Sequence, residues 1–142
     1  MKRLLFLFAL TTMLVSCGDT VVEKYTTEDY HIQTINLTSR AQDWISNSEP
    51  DIDIPLYYSC TFSMPEINNI VFEQGLVQAY IVFNSVQQVL PYVQHKINAD
   101  GIMWTQTIDY RYAAGELTIF VTNSDFIVDP PEAMNFRAVI MW

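Results

Sequence analysis

The alternation of apolar and polar residues from His31 onward predicts an all-β, mainly antiparallel domain: a β-sandwich of about seven or eight strands with one short helix. Three observations carry this prediction. Apolar side chains recur at every second position in short runs, the period of a strand with one buried face. Turn-forming residues close the runs, as in Asn47 to Pro55, Asn98-Ala99-Asp100-Gly101, Ala113-Ala114-Gly115 and Thr122 to Pro131. One segment, near residues 65–74, departs from period two and reads as helix. A closed β-barrel is the other architecture that this pattern allows.

The elements follow in chain order. Residues 1–16 read as a bacterial lipoprotein signal peptide: Lys2 and Arg3 supply the charge, and Leu4 to Val15 an apolar core of 12 residues. That core is too short for a membrane span, which needs about 20 residues. Leu14-Val15-Ser16-Cys17 has the Leu-x-small-Cys form of a lipobox, so cleavage is expected between Ser16 and Cys17, with lipidation at Cys17. Several acyl chains, at about 0.8 kcal/mol per buried methylene, give stable anchoring where one chain gives marginal binding. Gly18, where an aspartate would favour the inner membrane, points to the outer membrane, with the domain facing either the periplasm or the surface. Residues 17–30 read as the lipidated N-terminus and a flexible polar tether.

Residues 31–142 form the single predicted domain. Its strands are placed at Gln33–Leu37, Asp43–Ser46, Leu56–Ser63, Leu76–Asn84, Tyr92–Ile97, Ile102–Tyr112, Glu116–Thr122 and Asn135–Trp142. Between the third and fourth, Ser63 is a candidate cap, and Pro65 fits a first helical turn. Ile67, Ile70 and Val71 share a helical face, and Gly75 stands where a helix stops. The loop from Ser85 to Gln88 reads as short and polar. Cys60 alternates with Leu56, Tyr58 and Phe62, so it is expected in the core with an inert thiol. With Cys17 acylated, no second thiol remains for a disulfide.

The run Glu66 to Tyr80 contains a short helix followed by Gly75-x-Val77-x-x-Tyr80, and Leu90-Pro91-Tyr92 comes after it. Tyr112 to Ile119 adds a Tyr-x-x-Gly-x-Leu-Thr-Ile hairpin, and Asn135 to Ile140 closes the set. In these motifs residues 42–142 resemble small, uncharacterised β-sandwich lipoproteins of the Bacteroidota. The resemblance implies a sandwich on an envelope lipid anchor and brings no activity with it.

Charge and motifs narrow the function. The formal net charge is −9, and loss of two basic residues with the leader makes the remainder −11. Such a chain is repelled by nucleic acid and by anionic membrane surfaces. His31 and His95 are the only histidines, and both read as solvated strand residues. There is no Cys-x-x-Cys, His-Glu-x-x-His or Gly-x-Ser-x-Gly, so no metal, cofactor or catalytic residue is assigned and an enzyme is not expected. Glu49-Pro50-Asp51-Ile52-Asp53, and Asn123-Ser124-Asp125 with Asp129, offer oxygens suited to Ca²⁺ but lack the spacing of a calcium loop. Tyr57, Tyr80 and Tyr92 are candidate ligand-binding aromatics.

The sequence therefore predicts a noncatalytic cell-envelope lipoprotein that acts as a protein-interaction or accessory module. The alternative is a carbohydrate-binding surface lipoprotein. Partners are the membrane, through the lipid anchor, and an envelope protein or a glycan, with no nucleic acid. Replacing Cys17→Ser should abolish palmitate incorporation in labelled cells and release the protein from the membrane fraction.

Overall fold

The computed structural model describes residues 30–48, 51, 56–126 and 129–142; the leader, Ser16, Cys17 and the tether before Tyr30 lie outside the described residues. Two antiparallel sheets pack on one core, as expected for a sandwich, and they do not close into a barrel. Sheet A has four strands, in the order β1 (Ile32–Ser39), β9 (Met134–Met141), β4 (Leu76–Phe83) and β5 (Val86–Val89). Sheet B has five, in the order β2 (Ile45–Asn47), β3 (Tyr57–Met64), β8 (Gly115–Asn123), β7 (Met103–Ala113) and β6 (Tyr92–Ile97). Among the described residues no helix is long and apolar enough to cross a membrane.

The inward residues of both sheets follow the pleat. Phe136, Ala138 and Ile140 of β9 and Val77, Ala79 and Ile81 of β4 are buried from one side. Leu117, Ile119 and Val121 of β8, with Ile108 of β7, are buried from the other. Phe62 meets Phe136 edge-on across the sandwich, with ring centroids 6.5 Å apart. A second link is polar: the Tyr110 hydroxyl of sheet B donates to the Val77 carbonyl of sheet A at 3.0 Å. The β4–β5 pairing covers only Tyr80 to Phe83, so earlier carbonyls on that edge of β4 need other donors. Tyr110 supplies one, and the Leu90 amide supplies another to Ala79 at 3.0 Å.

Four expectations are corrected. Asn84 and Ser85 form a two-residue turn, with Asn84 at positive φ, and Val86–Val89 is a ninth strand rather than a polar loop. Asp43 does not begin a strand. It ends a 3₁₀ turn, Ala41–Asp43, whose carboxylate accepts from the Arg40 amide at 2.8 Å, and β2 starts at Ile45. Ser63 belongs to β3, and the helix α1 spans Asn69–Gln74 with Asn68 as its cap: Asn68 Oδ1 accepts from the Val71 amide at 3.0 Å. Ile67 precedes the helix and is fully buried with Val71, whereas Ile70 points to solvent.

Gly75 does stop the helix, by close approach rather than by an unusual backbone angle. Its φ of −97° suits any residue, but a Cβ there would lie 2.6 Å from the Met141 carbonyl oxygen and 2.8 Å from that of Val71. The glycine lets the end of α1 lie against the end of β9. Gly75→Ala should therefore cost about 1–3 kcal/mol, read as a lower denaturant midpoint with an unchanged slope.

Candidate functional site

The tyrosines singled out from the sequence lie on three different surfaces. Tyr57 is on the outer face of sheet B, where its ring packs edge-on to Phe120 at 5.7 Å, and the Arg111 guanidinium lies 5.0 Å from the Phe120 centroid. Tyr80 faces outward from sheet A, paired across the strands with Arg137 and Val89. Tyr92 points inward, opposite Ile108, and contacts Phe83 edge-on at 5.7 Å. No single platform contains all three. His31 and His95 are exposed strand-edge residues: His31 stacks on Trp142, and His95 Nδ1 lies 3.1 Å from the Thr105 hydroxyl. Cys60 is in the core, where burial, and then the charge of Asp43, push its thiol pKa up. Its thiolate is disfavoured, consistent with an inert cysteine.

Instead, the register concentrates chemistry at the two ends of the sandwich. At one end, β1 and β4 begin and β9 finishes, so Ile32, Met141 and Leu76 sit side by side on the outer face of sheet A. Ile70 of α1 and Tyr30, just before β1, extend this surface, and Tyr30, Ile32, Ile70 and Leu76 are all more than half exposed. Together with Trp142 and the Glu73–Gly75 corner, Tyr30, Ile70, Leu76 and Met141 line a groove of about 650 Å³. Trp142 is fixed by reciprocal backbone hydrogen bonds with His31, at 3.0 and 3.1 Å.

At the opposite end the two sheets part over a cleft of about 530 Å³. Its floor is a row of amides on inward positions of three neighbouring strands. Gln94 Nε2 donates to Gln106 Oε1, and Gln106 Nε2 donates to Asn123 Oδ1, each at 2.9 Å. The next row toward the core, Tyr92 and Ile108, is apolar. The next row toward solvent is Lys96 beside Trp104. Phe83 forms part of the facing wall, and the segment Asp129–Met134 forms the rim.

That rim is held in place. Trp44, buried before β2, donates its indole N–H to the Glu132 carbonyl at 3.3 Å, and Ser39 Oγ accepts from the Met134 amide at 3.3 Å. The end of the β7–β8 hairpin is pinned as well: Ser124 N–H donates to the Thr105 carbonyl and Ser124 Oγ accepts from the Thr105 amide, both at 2.9 Å. Asn123, Asp125 and Asp129, offered by the sequence as Ca²⁺ ligands, all line this cleft. Among the described residues no group of three or more metal-ligating side chains is placed to hold a metal. Of the other acidic loop, Glu49, Asp53 and their neighbours lie outside the described residues, apart from Asp51. The sequence offered no local sign of the amide row, because its members are 12 and 17 residues apart and meet only through strand register.

Comparison with protein-family models, with curated proteins and with solved structures finds no match.

The outer face of sheet B yields a pH prediction. Asp109 lies across from Phe120, half-buried, and desolvation raises its pKa above the ordinary carboxylate range. A folded-state pKa above the unfolded one favours folding fully below the unfolded pKa, and this advantage is lost as pH rises through the folded value. Asp109→Asn should therefore be more stable than the parent at neutral pH. The difference should shrink to zero as pH falls below the ordinary carboxylate range, measured by chemical denaturation across pH.

Proposed function

We propose that this chain is a noncatalytic, lipid-anchored protein of the cell envelope, and that its sandwich is a protein-interaction module that engages an envelope partner. The observation that carries this reading is the apolar end. Tyr30, Ile32, Ile70 and Leu76 expose large apolar surface side by side, with the Trp142 ring among them. Apolar surface gathered in one place around a groove, with aromatic residues available as anchors, is the anatomy of an interface core.

Lipid anchoring at Cys17 suits this site. Cys17 precedes Tyr30 by 13 residues, and Tyr30 itself lines the groove. Thirteen residues span at most about 45 Å when extended, so an anchor at Cys17 keeps the apolar end near the bilayer that holds the partner. The net charge of −11 after removal of the leader favours a protein partner over an anionic lipid surface.

The test is recovery of the lipidated protein from crosslinked intact cells, alongside Ile70→Glu and Leu76→Glu variants. Both positions are exposed, so the folded domain should tolerate the charge with little change in stability. A partner recovered in stoichiometric amount, crosslinked near residues 70–76 and lost from both variants, is the expected outcome. Recovery of background proteins alone, or of a partner indifferent to both substitutions, would contradict the reading.

A further inference from the structure

We infer that the cleft at the other end of the sandwich is a binding site for a neutral saccharide, held by the Gln94–Gln106–Asn123 amide row and the Trp104 side chain. The inference is independent of the interface proposed for the apolar end, since the two sites share no residue. It also uses none of the aromatic residues that the sequence suggested.

The amide row is costly if it serves folding alone. Inward positions of a sandwich are ordinarily apolar, yet Gln106 is 4 % exposed and faces the space between the sheets with a polar side chain. A buried amide pair adds little net stability even when hydrogen-bonded, and apolar residues of the same shape serve a core about equally well. A row of three amides, ending in an open cleft, is better accounted for by a ligand than by folding.

The row also presents unpaired hydrogen-bonding capacity at its two ends. Its internal bonds use the Asn123 oxygen and leave the Asn123 NH₂ group and the Gln94 oxygen outside the chain of bonds. The site thus offers both a donor and an acceptor, in fixed orientation, as a hydroxyl requires. An amide neither gains nor loses a proton near neutral pH, so the row suits recognition rather than proton transfer.

The cleft has the shape and charge that a neutral sugar requires. A volume of about 530 Å³ falls within the range of small-molecule sites. Trp104 and Phe83 provide flat apolar walls for the C–H faces of a sugar ring, while the Asp129 carboxylate on the rim is an acceptor for its hydroxyls. The carboxylates outnumber the one lysine, Lys96, so an acidic sugar or a phosphate would be repelled. The rim is preorganised by Trp44 and Ser39, which lowers the ordering cost of binding.

The experiment titrates the full lipidated chain, in a detergent without a sugar headgroup, with cellobiose, maltose, lactose and chitobiose, and separately with spermidine. Binding is followed by tryptophan fluorescence and by amide NMR shifts. Saturable binding of at least one disaccharide, with shifts at residues 94, 106 and 123, is expected. Trp104→Ala should weaken it about tenfold. The paired substitution Gln94→Leu with Gln106→Leu should abolish it while the unfolding midpoint holds or rises. The inference is overturned if no disaccharide binds at millimolar concentration, if only spermidine binds, or if binding survives both sets of substitutions in folded protein.

Discussion

Everything in this molecule depends on the insertion of β9 between β1 and β4. The last strand of the chain is a central strand of sheet A, paired over eight residues with the first strand and over seven with β4. Without it β1 has no backbone partner, and the buried faces of Phe136, Ala138 and Ile140 have no place. The β1–β9 contacts close loops of about a hundred residues and the β4–β9 contacts loops of about sixty, so the entropic cost of closure precedes the contacts that offset it. Register is correspondingly strict: a slip of one residue would turn Phe136 and Ile140 outward and bring Arg137 into the core.

The same register polarises the domain. Because β9 runs from Met134 to Met141 and β4 runs oppositely, from Leu76 to Phe83, one end of sheet A gathers Ile32, Leu76 and Met141. The other end places Phe83 and Met134 against the mouth of sheet B. The inner rows of sheet B grade from apolar Ile108, through the amides, to Lys96 and Trp104 at the rim. An apolar end beside Tyr30 and a polar cleft at the opposite end give the two poles of one core different chemistry.

Most of this architecture was legible in the sequence because a strand with one buried face writes its period directly into the chain. The β7–β8 hairpin is the clearest case: Ile108 and Tyr110 face inward opposite Val121 and Ile119, as their alternation implies. Legibility failed where structure is set by geometry rather than by period. The strand Val86–Val89 was hidden by its polar middle, Gln87-Gln88, although the Asn84-Ser85 turn was a usable sign of a hairpin. The start of α1 was misplaced because Ile67 is buried by the turn that precedes the helix rather than by a helical face. The candidate tyrosines were chosen by residue type, and the pleat then sent Tyr57, Tyr80 and Tyr92 to different surfaces. The cleft could not be read at all, since its floor exists only once β6, β7 and β8 are in register.

If Cys17 anchors the chain as proposed, the two poles have opposite surroundings in the cell: the apolar end is covered at the membrane and the cleft end is open to solvent. Site-directed labelling in intact envelopes tests this directly. Single cysteines introduced by Ile70→Cys and Lys96→Cys, in a Cys60→Ser background, would be reacted with a membrane-impermeant thiol reagent in spheroplasts and in open membranes. The account predicts strong labelling at position 96 and protection at position 70, with the protection lost when Cys17 is also replaced. Equal labelling at both positions, or protection of position 96 alone, would contradict it.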